Sequence, residues 1–170
     1  MSSQSHSKTS ANLITAGAAI GIAGGLAEVL VVGAYAGVAH VDAAGVAGAI
    51  ATAVRVEPGS AIVGLAVHMA MSAGLGITLL AGARSSGMLR EASAMRTYAT
   101  GLIALGAIWS LNFLVVLPMV SPSFVHLLPY PVSLASKLMF AVAAVATLRS
   151  MPTEVASQRR LVRAAARASA

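Results

Sequence analysis

The chain alternates long apolar runs with short polar segments. Four runs are almost free of charged side chains, and they cover residues 12–39, 61–83, 98–120 and 127–148. Each run is long enough to cross a bilayer as a helix, since about 20 apolar residues span the hydrocarbon core. Short connections between such helices favour neighbours that run in opposite directions. The pattern predicts an all-α integral membrane protein, built as a four-helix up-and-down transmembrane bundle.

The connection after the first run holds a further apolar piece. Residues 43–54 are uncharged and lie between Asp42 and Arg55, but this stretch is too short to cross a bilayer. We predict a short extra helix in the first outer loop, with a re-entrant segment as the alternative. A fifth span is a further possibility, but it would invert the charge pattern downstream. Pro58 and Gly59 separate this segment from the second span.

Composition supports the membrane interpretation. Of the 170 residues, 58% are hydrophobic and 9% are charged, and the mean hydropathy is +0.85. A soluble domain of this size needs more polar surface. We therefore expect one membrane domain over residues 12–149, a disordered cytoplasmic tail over 1–11 and a basic, partly helical cytoplasmic tail over 150–170. The first apolar run is too long for the core of a signal peptide, so we expect it to be a retained span.

Positive charge is concentrated in one of the three connections and at the termini. The 84–97 loop and the carboxyl tail are rich in arginine, whereas residues 121–131 contain no Lys or Arg. This asymmetry predicts a multi-pass protein of the inner (cytoplasmic) membrane with both termini in the cytoplasm. It also accounts for the net charge of +6 without nucleic acid as a partner. In the tail, helical spacing puts three arginines on one face, which suits anionic lipid headgroups or a simple positive-inside anchor: Arg159, Arg163 and Arg167.

A stripe of small residues follows the first span. Gly17, Gly21 and Gly25 recur every four residues, a spacing that lets another helix backbone approach closely. Glu28 comes three residues after Gly25 and shares that face, so it points at protein instead of lipid. Besides the lipid bilayer, we therefore expect a protein partner or a second copy of the chain to dock through the glycine face.

Each predicted span carries one strongly polar residue in its outer half. A rise of about 1.5 Å per residue places all four within roughly 9 to 15 Å of the outer ends: Glu28, His68, Asn112 and Lys137. In an up-and-down bundle the first helix neighbours the second and fourth, so Glu28 can meet His68 and Lys137. We interpret Glu28 as a counter-ion in an inward-facing binding or relay cluster. Alternatively, these groups only link helices, or Lys137 snorkels outward.

The sequence contains no recognisable catalytic signature. It has no phosphate-binding loop, zinc-binding helix pair, nucleophile elbow or cysteine. Histidines and methionines of the outer half suit reduced copper, but His68 with Met71 supplies only two ligands on one face. We expect no metal, no cofactor and no enzyme activity. The function we favour is a non-catalytic accessory or structural subunit of a membrane assembly; alternatives are a small proton-coupled carrier or channel and a quinone- or haem-binding subunit.

Two segments resemble a known family. In LNFLVVLPMVSPSFVHLLPYPVSLASKLMF, residues 111–140, one span ends in a Pro and a Ser-Pro pair, and an irregular connection leads to a last span with an early polar residue. Together with AVHMAMSAGLGI in the second span, this is similar to the YagU-like small bacterial inner-membrane proteins. The resemblance implies a compact multi-span protein without an established chemistry. Those proteins tend to carry a histidine where this chain has Lys137, so a two-histidine site is not expected here.

Overall fold

The computed structural model of the chain describes residues 3–56, 60–86 and 93–151, with side chains described from residue 12 onwards. Every regular element in these ranges is a helix. In chain order they are α1 (Ser3–Ala39), α2 (Ala43–Ala53), α3 (Ala61–Ser85), α4 (Ala94–Leu111), a π-helical turn (Asn112–Val116), α5 (Leu117–Val120), α6 (Pro122–Val125) and α7 (Tyr130–Ser150).

Four helical segments are long and apolar enough to cross a membrane. They are Asn12–Ala39, Ala61–Ser85, Ala94–Val120 and Tyr130–Ser150, each within a few residues of a predicted span. Two of them begin at a serine cap, because the hydroxyls of Ser60 and Ser93 accept hydrogen bonds from the first-turn N–H groups of Val63 and Arg96. The prediction of an all-helical protein with four potential spans is therefore confirmed.

The first helix begins earlier than predicted. Residues 3–11, which we expected to form a disordered tail, continue α1 at their backbone. This stretch contains neither Gly nor Pro, and extending an existing helix costs far less free energy than nucleating a new one. The prediction for the 152–170 part of the carboxyl tail lies outside the described residues.

Helix α1 lies at the centre of the arrangement. It packs against α3 on one side and α7 on the other, and α7 in turn packs against α4. Side chains from all four helices meet in one apolar core: Ile20, Leu80, Leu105, Phe140, Ala141 and Ala144. However, α3 and α4 are not a close-packed pair in the described chain. The bundle therefore has the predicted neighbours around α1 and stays open between α3 and α4.

Close approach of α1 and α3 depends on glycine. A Cβ added at Gly21 would collide with the carbonyl of Ser72, and one at Gly17 would meet the backbone of Ile77. From the other side, Gly76 lies against the backbone of Gly21. The predicted glycine face is thus a packing surface, but it is filled by α3 of the same chain. A partner or second copy would have to use another surface.

The short extra helix predicted in the first connection is present as α2. It packs along α3, where Gly64 leaves room for the carbonyl of Ala47. Both α1 and α2 end in a left-handed residue, His40 (φ 55°) and Arg55 (φ 60°). In each case the following N–H returns to a carbonyl of the last helical turn, Val41 to Ala36 and Val56 to Ala51. These two caps fix the reversal of the chain on either side of α2.

The third span is not a regular helix throughout. Its α-helix changes to a π-helical turn over Asn112–Val116, where the N–H of Leu117 bonds to the carbonyl of Asn112. Pro118 follows directly. Its ring cannot donate a hydrogen bond and would clash with the carbonyl four residues earlier in an α-helix. The wider turn relieves this conflict, so Pro118 explains the π-helix without a functional requirement.

Candidate functional site: a buried Glu–Lys–His cluster

Glu28 is buried between α1 and α7. Only 6% of the residue is exposed, and its Oε1 lies 2.6 Å from the Nζ of Lys137 on α7. The Lys137 ammonium also lies over the ring of Phe140, 5.3 Å from its centre, a distance at which cations and aromatic faces attract. Phe140 in turn packs on Gly24 of α1. Lys137 therefore reaches inward to a carboxylate instead of snorkelling outward.

His68 approaches the same carboxylate from α3. Its Nε2 lies 3.8 Å from Oε2 of Glu28 and 3.3 Å from the carbonyl oxygen of Gly25. The shorter distance assigns a hydrogen bond donated by Nε2–H to Gly25, which would fix the imidazole tautomer. One turn further along α3, the buried Ser72 packs against Gly25. The small residues of α1 thus admit His68 to the side of Glu28 that Lys137 leaves open.

One oxygen of the cluster has no hydrogen-bond partner. Oε2 of Glu28 is buried and accepts no hydrogen bond, although His68 lies near it. Leaving a buried polar atom unsatisfied costs about 1 to 3 kcal/mol, and more for a charged group. A small movement of the imidazole that brings its Nε2–H toward Oε2 would give the atom a partner. Glu28 is therefore ion-paired with Lys137 through Oε1, whereas its Oε2 lies near His68 without a hydrogen bond.

Asn112 lies away from the cluster. Asn112 is exposed at the start of the π-helical turn, and the third span packs mainly on α7. Trp109 and Leu105 are the buried residues of α4 and define the face that meets α7. Asn112 falls outside that face because the orientation of the span is set by these larger side chains. The site therefore brings together three of the four residues predicted for it.

The link between α4 and α7 is a polar contact that sequence reasoning missed. The indole N–H of Trp109 donates to the hydroxyl of Ser133 at 3.1 Å, and that hydroxyl donates to the carbonyl of Tyr130 at 3.0 Å. Trp109 also stacks on Phe113 and meets Tyr130 edge-on. The sequence did contain a signal for this contact. A buried indole N–H needs an acceptor, and the span after the lone Trp carries a Ser near its start.

Among the described residues, no group of three His, Cys, Asp or Glu side chains could hold a metal ion. His40 and His126 are exposed, whereas His68 is partly buried. The arginines proposed for lipid headgroups, Arg159, Arg163 and Arg167, lie outside the described residues, so that assignment stays a prediction.

Comparison of the chain with protein-family profiles, with curated protein sequences and with solved structures found no match. The resemblance to the YagU-like family therefore stays a prediction from the sequence. The chemistry open to the cluster follows from its geometry alone. That geometry joins α1 to α7 through a neutralised ion pair, and it places an imidazole near the free oxygen of the carboxylate.

Proposed function

We propose that this chain is a multi-pass protein of the bacterial inner membrane, with both termini cytoplasmic, that serves as a non-catalytic accessory or structural subunit of a membrane assembly. The observation that supports this function best is how the interior polar side chains are used. Lys137 holds Glu28, His68 holds the carbonyl of Gly25, and Trp109 holds Ser133. Each contact joins two helices, so the groups act as links that fix one bundle.

A subunit also needs a surface for its partner. The stripe of Gly17, Gly21 and Gly25 is covered by α3, but two further glycines of α1 are open: a Cβ at Gly33 or Gly37 meets nothing within 4 Å. Their four-residue spacing suits close docking of a foreign helix, and the neighbouring Leu30 is 72% exposed. This end of α1 is the proposed contact with a protein partner or a second copy.

The test is the mass of the complex extracted in a mild detergent. We expect Gly33→Leu combined with Gly37→Leu to remove the partner or second copy, because two leucines hold a facing helix away. Gly74→Leu is the matched control, since Gly74 is an equally open glycine on α3. A wild-type chain that runs as a lone monomer, or a double variant that keeps its partner, would contradict the proposal.

A proton-coupled carrier or channel is the second candidate, and one observation favours it. The partnerless Oε2 of Glu28 lies beside His68, and histidine is the side chain best suited to gain and lose protons near neutral pH. A proton passing between these groups would change the charge that Lys137 must balance. Such a device would couple protonation to the contact between α1 and α7.

Proteoliposomes loaded with a pH-sensitive dye distinguish the two candidates. If the chain carries protons, wild type dissipates an imposed pH gradient, and both Glu28→Gln and His68→Gln stop it. His68→Gln is informative because it leaves the Glu28–Lys137 pair in place and can still donate to Gly25. Asn112→Ala is the control and should behave as wild type. Equal leakage from wild type and Glu28→Gln would rule the carrier out.

A further inference from the structure

The opening between α3 and α4 forms an apolar pocket far along the bundle from Glu28. Its volume is about 100 Å³, and it is lined by residues of α1, α3, α4 and α7. Leu79 and Leu80 form one wall, and Gly101, Ala104 and Leu148 contribute to the others. An engineered apolar cavity of about 150 Å³ holds benzene. This pocket is about two thirds of that size, so it has room for a few methylene groups of a hydrocarbon chain, whose remainder can follow the gap between the two helices.

The pocket offers nothing to a polar ligand. Its two hydroxyl side chains are already used within α4, because Thr97 donates to the carbonyl of Ser93 and Thr100 to that of Arg96. All other lining residues are apolar or glycine. An apolar site without free donors or acceptors does not hold ordered water well. The lining therefore suits a hydrocarbon chain.

Three arginines are adjacent in the chain to residues that line this pocket. Three lining residues, Ala83, Thr97 and Leu148, are the direct chain neighbours of Arg84, Arg96 and Arg149. All three arginines are exposed, and they come from the three helices that surround the opening. The described residues of these helix ends include no Asp or Glu. Three exposed positive charges at the ends of the helices that border an apolar pocket are a charge pattern that complements an anionic phospholipid.

We propose that this pocket is a binding site for one anionic phospholipid, with an acyl chain between α3 and α4 and the phosphate held by Arg84, Arg96 and Arg149. The site is separate from the Glu28 cluster and does not depend on the function proposed for the whole chain. It also differs from a general attraction to anionic headgroups, because the apolar pocket and the three arginines must both be present. Both halves can be removed independently.

Native mass spectrometry of the full-length protein in detergent tests the site. The probes are dioleoyl phosphatidylglycerol and dioleoyl phosphatidylcholine, which share their acyl chains and differ in headgroup charge. We expect wild type to retain phosphatidylglycerol at least tenfold more strongly. Each of Arg84→Gln, Arg96→Gln and Arg149→Gln should weaken that retention roughly fivefold. Ala104→Leu, which fills the pocket, should reduce retention of both lipids.

Three control variants separate binding in this pocket from general effects of added apolar volume or lost surface charge. Ala107→Leu makes the same change on an exposed residue of α4 that does not line the pocket, and Arg55→Gln removes one charge beyond the end of α2. Both should retain lipid as wild type does. A third variant replaces the tail arginines Arg159, Arg163 and Arg167 with Gln. If that variant alone loses the preference for phosphatidylglycerol, or if wild type holds both lipids equally, the pocket is not the site.

Discussion

Glu28 and Lys137 neutralise each other in an interior where a lone charge is expensive. Placing one charged side chain at the centre of a membrane helix costs about 2.5 to 3.5 kcal/mol on insertion scales. Their 2.6 Å contact removes most of that penalty, and the ring of Phe140 adds a favourable contact to the ammonium. The pair as a whole therefore adds little to the free energy of unfolding, but the loss of one member leaves the other as an unpaired buried charge.

We therefore predict strongly unequal effects from single and double substitutions of the pair. Lys137→Met leaves a buried carboxylate without a cation and should lower the free energy of unfolding by about 3 to 5 kcal/mol. Combining it with Glu28→Gln should recover most of this loss, since neither residue is then charged. Thermal unfolding in detergent, followed by circular dichroism, measures both. Additive losses in the double variant would show that the two side chains do not interact.

Asn112 provides the matching control at the same scale. It is exposed and lies outside the cluster, so Asn112→Ala should change the free energy of unfolding by less than about 0.5 kcal/mol. The same unfolding measurement applies. A loss comparable to that of Lys137→Met would place Asn112 in an interior contact and contradict its exposed position on the third span.

At the scale of the helices, small residues decide which pairs come together. The α1–α3 contact is made of glycines that face backbone atoms, with no space for a Cβ at Gly21. The α1–α7 contact instead places the wholly buried ring of Phe140 on Gly24. Lipid is as apolar as leucine, so burying apolar side chains gives little advantage in a membrane. Helices there associate through close approach of their backbones, which small residues permit.

Alanine substitutions at a packed and at an open glycine should therefore have different effects. Gly21→Ala forces α1 and α3 apart and should destabilise the protein by about 1 to 3 kcal/mol, the usual cost of overpacking. Gly74→Ala on α3 meets nothing and should be neutral or stabilising by up to about 1 kcal/mol, because alanine favours the helix. Thermal unfolding of the detergent-solubilised proteins compares them. Equal effects would mean that α1 and α3 do not pack through Gly21.

For the whole molecule, the decisive property is that consecutive spans run in opposite directions. The contacts of Gly21 with Ser72 and of Gly76 with Gly17 make α1 and α3 antiparallel, and α4 and α7 are joined in the same way through Trp109 with Ser133 and Gly101 with Val145. In a bilayer, this arrangement puts the α3–α4 and α6–α7 connections on opposite sides.

Because the chain has no cysteine, single-cysteine variants can test that topology. Ser86 follows α3 and Ser123 lies in α6, and both are exposed. We predict that a membrane-impermeant maleimide added to intact cells labels Ser123→Cys and not Ser86→Cys, and that opening the membrane exposes the second. Labelling of both from outside would contradict a four-span arrangement with cytoplasmic termini.

Part of the candidate site was accessible to sequence reasoning. Glu28, His68 and Lys137 are isolated polar residues in separate apolar runs, and short connections make their helices neighbours, so the three could be brought together in advance. Asn112 also lies at a similar predicted depth in its span, but its side chain does not face the other three residues. Whether a side chain faces inward depends on the rotation of its helix, and for the third span Trp109 and Leu105 decide that rotation.

By itself, the sequence determined the four long helices, the short helix α2 and the potential to span a membrane, because an apolar run must satisfy its backbone hydrogen bonds internally and a helix is the way to do so. It also determined which residues are charged where charge is costly. Only the tertiary structure decided that α3 fills the glycine stripe, that Glu28 keeps one oxygen without a partner, and that an apolar pocket lies between α3 and α4. These features depend on how the surfaces of four helices pack together, and the hydropathy pattern along the chain does not predict that packing.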